Sequence, residues 1–231
     1  RPMEITEIEE KVRQIKAELS SGNVFGERVF LVAATKTQSA ECINAAIRGG
    51  ADAVAENKVQ EFREKTEFLL PCPQHFIGHL QTNKVKYLVG KISLFHSCDR
   101  DELAEEISRI SVKKNVRSEV LIQVNIGREI TKGGYAPEEA LEAWERLREK
   151  EGLLVRGFMA MLPDSDDQEL LADLTDEMRA LYDTARRKDE NLSFLSMGMS
   201  GDYKLCIAHG SNMIRLGSTL FGARNYQKSP M

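Results

Sequence analysis

The chain has 231 residues, of which 42% are hydrophobic and 29% are charged. This composition is typical of an ordinary globular domain and excludes a disordered or fibrous protein. The 32 lysines and arginines face 36 aspartates and glutamates, which gives a net charge of -4. Such a balance argues against a dedicated nucleic-acid binder, because those proteins carry a basic face or a strongly basic total.

No apolar run approaches the roughly 20 residues that a membrane helix needs, and the N-terminal segment shows no signal-peptide pattern. The sequence therefore predicts a cytoplasmic protein with no membrane contact. The four cysteines, Cys42, Cys72, Cys98 and Cys206, form neither a C-x-x-C pair nor a cysteine–histidine pattern. We expect them to be reduced, and we expect no metal site.

The predicted elements begin with an amphipathic helix over residues 5–19 and then alternate between strands and helices. Short apolar runs predict strands at 29–34, 51–55, 75–78, 92–96, 119–124, 153–161, 192–197 and 213–216. Helical composition is found at 40–49, 59–69, 101–112, 137–150 and 168–188. This alternation is typical of right-handed crossovers and a parallel sheet.

Eight strand and helix units of this kind favour an α/β fold, a single (β/α)8 TIM-type barrel with an extra N-terminal helix. An open doubly wound sheet is the structural alternative. No composition shift or Pro/Gly-rich linker marks a boundary, so the whole chain, 1–231, is predicted to be one domain.

Polar residues follow the predicted strands, at the barrel face where active sites are built. They are Lys36 after the first strand, Asn57 after the second, His79 after the third, Asn125 after the fifth, Ser200 after the seventh and Arg215 at the eighth. Lys36 is the most unusual, because an amine at the mouth of an apolar strand can act as a nucleophile toward an aldehyde. The alternative is a lysine that reaches solvent from a strand end.

Two turns rich in glycine and hydroxyl side chains follow the seventh and eighth strands. Ser200 lies in the first, and Gly217, Ser218 and Thr219 form the second. Phosphate sites between these two loops recur in β/α barrels, although glycine and serine also make ordinary turns and caps. Arg215 lies at the end of the eighth strand, just before the second turn and separated from it by Leu216. There it can point into the barrel mouth or form a structural ion pair.

Taken together, five motifs resemble one known family. They are VAATKT at 32–37, AEN at 55–57, HFIGHLQTNK at 75–84, SMGMSGD at 196–202 and IRLGSTLFGAR at 214–224. The chain is similar to the pyridoxal phosphate homeostasis proteins, in the same order from about Glu7 to Tyr226. The resemblance implies a barrel similar to the N-terminal domain of alanine racemase.

The resemblance also implies a cofactor, pyridoxal 5'-phosphate, held as a Schiff base on Lys36. By the same carry-over Ser200, Gly217, Ser218 and Thr219 hold the phosphate, and Arg215 faces the pyridine nitrogen. Asn57 and His79 are expected to line the pocket, with a purely structural histidine as the alternative for His79. Lys132, in the loop after the fifth strand, is either a secondary aldehyde contact or a solvated loop lysine.

The resemblance implies storage, delivery or protection of the cofactor without turnover, so we expect a binding protein and no catalytic residues. An amino-acid racemase of the alanine racemase type is the alternative, and a barrel with a vestigial, empty site is a third. Racemisation needs a second proton donor and acceptor, which alanine racemases take from an additional β-domain. The chain ends about where its barrel ends, which counts against that activity. Apo pyridoxal-dependent enzymes are possible recipients, and a monomer is expected.

Overall fold

A closed barrel of eight parallel strands forms the centre of the protein in the computed structural model, which describes residues 3–223. The strands are β1 Phe30–Ala34, β2 Ala53–Glu56, β3 Gln74–Phe76, β4 Leu94–Cys98, β5 Ser118–Gln123, β6 Leu153–Met159, β7 Phe194–Ser196 and β8 Met213–Leu216. They follow one another around the barrel in chain order, and β1 pairs with β8 to close it. The predicted barrel is confirmed, and the open sheet is wrong.

Helices lead into the barrel and cover its outside. They are α1 Ile5–Leu19, α2 Ala40–Gly49, α3 Val59–Lys65, α4 Asp101–Lys113, α5 Ala140–Leu147, α6 Gln168–Arg186, α7 Tyr203–Ala208 and α8 Ser218–Phe221. Short 3-10 helices lie at Thr66–Phe68, Thr82–Tyr87 and Pro137–Glu139. In the described part of the chain no helix is both long and apolar enough to cross a bilayer.

The helix predicted at 59–69 is shorter than expected, since α3 ends at Lys65 and only a 3-10 turn continues it. Leu69 is already extended, and Pro71 and Pro73 follow it. Proline cannot continue a helix and disfavours the helical conformation in the residue before it. The link from β3 to β4 likewise contains a 3-10 helix instead of an α-helix.

The N-terminal helix α1 is part of the core. Its apolar stripe, Ile8, Val12, Ile15 and Leu19, is buried in one cluster with residues of α2, β1 and α8. The two helices approach closely at Gly49, where an added Cβ would lie 2.6 Å from the carbonyl oxygen of Glu9. The prediction of an extra helix before the barrel is therefore confirmed.

The barrel interior changes character along its axis. Its apolar part is a cluster of Val32, Ala53, Ala55, Leu94, Leu121, Met159 and Met213. Side chains alternate between the two faces of a strand, so residues two positions further along point inward again. On β4, β7 and β8 these positions bring in His96, Ser196 and Arg215, all of which are buried. The carboxyl-terminal end of the barrel interior is consequently polar.

Candidate cofactor-binding site

The predicted site residues lie along one arc of the barrel mouth. Ser200 follows β7, and Arg215 with the turn 217–219 belongs to the end of β8. Lys36, Asn57 and His79 follow β1, β2 and β3. The strands β7, β8, β1, β2 and β3 are consecutive neighbours in the closed barrel. The predicted site residues that follow them therefore lie on the same edge of the barrel.

The two predicted phosphate turns contact each other. The backbone N–H of Thr219 donates to Ser200 Oγ across 3.2 Å, which ties the turn after β8 to the turn after β7. A Cβ added at Gly201 would meet no heavy atom within 4 Å, so the first turn borders open space. Hydroxyls and backbone N–H groups around such a space are the donors that a phosphate requires. The motif at 214–224 extends to Arg224, which, like Tyr226, lies outside the described residues.

Arg215 is a buried cation, only 4% exposed. Its Nη1 donates to Ser196 Oγ, and its Nη2 lies 3.4 Å from the carbonyl oxygen of Ala160. Burial lowers its pKa to about 10, so the guanidinium stays charged at neutral pH. Within residues 3–223 its partners are Ser196 and Ala160 and include no carboxylate, so the structural ion pair considered for Arg215 does not form there.

A buried guanidinium without a carboxylate partner is costly unless other groups compensate it. Together with the neighbouring phosphate turns, this donor set fits a polar, anionic ligand with an acceptor nitrogen. Pyridoxal phosphate has that chemistry, and the residues present therefore fit the cofactor. It would supply an aldehyde to an amine on the protein and a phosphate to the turns.

The residues on either side of Lys36 are fixed by a group of charged side chains. Glu56 Oε2 accepts a hydrogen bond from Thr35 Oγ1 at 2.7 Å, and Glu61 Oε1 accepts one from the Thr37 N–H at 2.8 Å. Lys65 Nζ joins the two carboxylates, 3.1 Å from Glu56 and 2.7 Å from Glu61. We call Glu56, Glu61 and Lys65 the carboxylate clamp.

The clamp holds a strained backbone and a buried acid. Thr37 has φ of 67°, in the left-handed region that β-branched residues rarely adopt. Burial raises the pKa of Glu56, although Lys65 and the bond from Thr35 act in the opposite direction. Oε1 of Glu56 is buried and has no hydrogen-bond partner among residues 3–223. The clamp therefore places polar and strained groups directly beside the predicted Schiff-base lysine.

Asn57 and His79 lie further around the mouth. The loops that carry them touch at Gly78, where an added Cβ would lie 2.0 Å from the carbonyl oxygen of Asn57. Asn57 is partly buried, whereas the side chain of His79 is 69% exposed and lies 3.6 Å from Asp99 Oδ2. Both residues border one open groove at the rim, and their contact with a cofactor stays a prediction.

Lys132 lies in the loop after β5, and its side chain is 43% exposed, 3.8 Å from Glu129 Oε1. Asn125 shapes this loop, because its Nδ2 donates to the carbonyl oxygen of Glu129 at 2.7 Å. The contacts of Lys132 are those of a surface lysine. A role as a secondary aldehyde contact stays a prediction.

The sequence analysis did not identify the interior side chains that hydrogen bonds connect to Arg215. His75 Nδ1 lies 2.9 Å from His96 Nε2, and His96 Nδ1 lies 2.9 Å from Ser196 Oγ, to which Arg215 donates. Burial lowers the pKa of His75 to about 4, and it also lowers the pKa of His96 well below its usual range. The sequence contained one signal for these contacts, since His75 and His96 each lie within an apolar strand. We call His75, His96, Ser196 and Arg215 the interior polar chain.

Comparison with known proteins places the chain among pyridoxal phosphate proteins. Residues 5–225 match the family model described as alanine racemase, N-terminal domain. The chain is 43% identical over 199 residues to a pyridoxal phosphate homeostasis protein of Aquifex aeolicus, with 85% of this chain and 87% of that protein covered. It is 32% identical over 231 residues to the one of Pasteurella multocida, with 96% and 99% covered.

Solved structures agree with the sequence comparison. PipY of Synechococcus elongatus, solved with pyridoxal phosphate bound, has a TM-score of 0.81 and 28% identity, with 93% of this chain and all of that chain covered (100%). Alanine racemase of Clostridium difficile has a TM-score of 0.76 at 15% identity. That likeness shows the fold alone, and this chain spans 58% of the racemase. The chain belongs to the alanine racemase N-terminal domain family and, within it, to the pyridoxal phosphate homeostasis proteins.

Proposed function

We propose that this protein binds pyridoxal 5'-phosphate and takes part in its homeostasis, through storage, delivery or protection. The observation that carries the proposal is the arrangement of Lys36, Arg215 and the two turns on the neighbouring ends of β7, β8 and β1. The names of the relatives support it, as does the cofactor bound in PipY.

In this proposal each residue has a separate task. Lys36 supplies the amine for a Schiff base with the cofactor aldehyde. The phosphate is held by Ser200 and by the turn of Gly217, Ser218 and Thr219. Asn57 and His79 line the side of the pocket at β2 and β3. The clamp supports this arrangement, since it restrains the backbone on both sides of Lys36.

Arg215 suits mild chemistry or simple holding of the cofactor. A permanently charged guanidinium that faces the pyridine nitrogen donates to it and disfavours its protonation. The ring is then a weaker electron sink, and carbanion chemistry is not favoured. The racemase alternative is supported by the family-model match and by a distant fold likeness, and both concern the barrel domain.

We further propose that the protein works as a monomer in the cytoplasm and passes its cofactor to apo pyridoxal-dependent enzymes. Transfer requires that an incoming amine reaches the aldehyde. The position of Lys36 supports this, because the residue follows the carboxyl end of β1 and is only partly buried. The test is to mix loaded protein with an apo enzyme in the presence of a scavenger for free cofactor. Activation no faster than the release of free cofactor would contradict delivery.

Borohydride reduction tests the anchor. The purified protein is loaded with pyridoxal phosphate, its visible absorption is recorded, and reduction is followed by peptide mapping. We expect the visible band to disappear and the label to lie on Lys36. Lys36→Ala should lose the label and keep its fold, whereas Lys91→Ala, a surface lysine before β4, is the matched control. A label on another lysine, or no uptake of cofactor, would contradict the assignment.

A further inference from the structure

The interior polar chain connects strands on different sides of the barrel. His75 lies on β3, His96 on β4, Ser196 on β7 and Arg215 on β8. His96 and Ser196 are fully buried, at 0% exposure. Four polar side chains in one barrel interior are expensive unless each finds a partner, and here each contacts the next.

The hydrogen bonds of this chain have a defined direction. A guanidinium can only donate, so Ser196 Oγ accepts from Arg215. The buried hydroxyl must then donate its own hydrogen, and among residues 3–223 the acceptor in contact with it is His96 Nδ1. His96 therefore carries its hydrogen on Nε2 and donates to His75 Nδ1. His75 carries its hydrogen on Nε2 for the same reason.

A neutral chain of this kind differs from the usual way of holding a buried arginine. A carboxylate partner would fix the guanidinium and also cancel its charge. Here the described partners of Arg215 are a hydroxyl and a backbone carbonyl oxygen, and both are uncharged. Burial keeps both imidazoles neutral as well, because it lowers their pKa values. The guanidinium is thus restrained without a direct carboxylate partner among residues 3–223.

We propose that Ser196, His96 and His75 are positioning residues that fix the guanidinium of Arg215 and leave its full charge available to the pyridine nitrogen of pyridoxal phosphate. This inference rests on the proposed function, which supplies the ligand. The interior polar chain itself is formed by the protein without the cofactor. The hydroxyl of Ser196 is the decisive group, since the second contact of Arg215 is a long one of 3.4 Å.

The first experiment uses the cofactor-free protein, so it does not depend on the proposed function. Nitrogen-15 NMR of labelled histidines reports which ring nitrogen carries the hydrogen. We expect both His75 and His96 to be neutral with the hydrogen on Nε2 near pH 6. In Ser196→Ala the preference of His96 should weaken, because Nδ1 loses its donor. A hydrogen on Nδ1 of His96 in the unaltered protein would overturn the inference.

The second experiment measures the pyridine nitrogen directly, with pyridoxal phosphate labelled with nitrogen-15 at the ring. In the unaltered protein the shift should be that of an unprotonated pyridine. Ser196→Ala should enlarge the protonated fraction at neutral pH roughly tenfold, which is one pKa unit. Ser118→Ala is the matched control, since it also removes a buried hydroxyl from a strand, at the bond to Ser111. Equal shifts in the two variants would overturn the inference.

A pair of histidine variants separates positioning from packing. His96→Asn keeps a polar group near the Nδ1 position, so it should retain most of the signal of the unprotonated pyridine nitrogen. His96→Leu removes that polar group and should resemble Ser196→Ala. Equal behaviour of the two would contradict the inference. If Ser196→Ala does not fold, this pair carries the comparison. Failure of the unaltered protein to take up cofactor would refute the proposed function. The tautomer measurement on the cofactor-free protein would still test the hydrogen bonds of the interior polar chain.

Discussion

At the scale of single residues, the site departs from local preferences where it has to hold a geometry. Thr37 adopts left-handed backbone angles beside Lys36, and Arg215 is charged without a described carboxylate partner. A strained backbone of the kind at Thr37 costs about 1–3 kcal/mol and persists where neighbouring groups fix it. A buried charge is likewise costly unless polar groups stabilise it. In this protein the clamp and the interior polar chain supply those groups.

The strain at Thr37 can be measured. Thr37→Gly should raise the free energy of unfolding by about 0.5–1 kcal/mol, because relief of the left-handed conformation exceeds the added entropy of the unfolded chain. Thr37 is exposed, so few packing contacts are lost. Thr131→Gly, at an exposed residue without positive φ, is the control and should lower stability. Urea unfolding provides the measurement, and a stability loss in Thr37→Gly would contradict this interpretation.

The buried histidines predict a pH dependence of stability. The pKa of His75 falls from 6.5 to about 4 in the folded protein, and burial also lowers the pKa of His96 well below its usual range. Between these values the unfolded chain binds protons that the folded protein does not. Each histidine therefore lowers the free energy of unfolding by up to about 1.4 kcal/mol per unit as the pH falls through this window.

The measurement is urea unfolding at several pH values between about 5 and 7. These pH values cover the upper part of the window from about 4 to 6.5 and extend just above it. His96→Asn should show a shallower dependence than the unaltered protein. His209→Asn supplies a histidine substitution outside the barrel interior. An unchanged slope in His96→Asn would mean that His96 is protonated in the folded state.

At the scale of elements, the sequence predicted α1 and α2 with their observed bounds, because capping residues and apolar periodicity are local signals. Shorter elements were less predictable. The 3-10 helix Thr82–Tyr87 between β3 and β4 has no strong helical period, and its position depends on packing against α4. The close contact at Gly78 depends in the same way on the pairing of β2 with β3.

Gly78 should couple the loops after β2 and β3 to cofactor binding. A Cβ at this position would overlap the backbone of Asn57, so Gly78→Ala must displace one of the two loops. We expect pyridoxal phosphate to bind at least about tenfold more weakly and stability to fall by about 1–3 kcal/mol. Gly201→Ala, where the added Cβ meets open space, should change stability by less than about 1 kcal/mol. Binding is measured by titration with pyridoxal phosphate. Equal losses of affinity and stability in the two variants would contradict the proposed coupling of the loops at Gly78.

At the scale of the whole molecule, closure of the barrel brings residues of the first and the last strand into one site. β1 pairs with β8, so Val32 lies opposite Arg215, and Lys36 follows β1 at the same edge. A ligand that contacts both ends should stabilise the whole fold. The single domain over residues 1–231 stays a prediction, because the structure describes 3–223.

Cofactor binding should therefore raise the stability of the folded protein. At a concentration of pyridoxal phosphate about 100 times its dissociation constant, the free energy of unfolding should rise by about 2.7 kcal/mol. Pyridoxal, which lacks the phosphate, is the matched ligand and should stabilise much less at the same concentration. Thermal unfolding followed by circular dichroism tests this. Equal stabilisation by both ligands would mean that Ser200 and the turn after β8 do not hold the phosphate.

The sequence by itself determined the alternation of strands and helices, the barrel class and the residues at the strand ends. These are local properties, since periodicity, caps and strand termini are encoded within a few neighbouring residues. Only the tertiary structure decided the clamp around Lys36 and the interior polar chain. His96 and Ser196 are 100 positions apart in sequence, and their contact depends on barrel closure and strand register. No local pattern specifies such a distance, so the groups that hold Lys36 and Arg215 emerged from the fold.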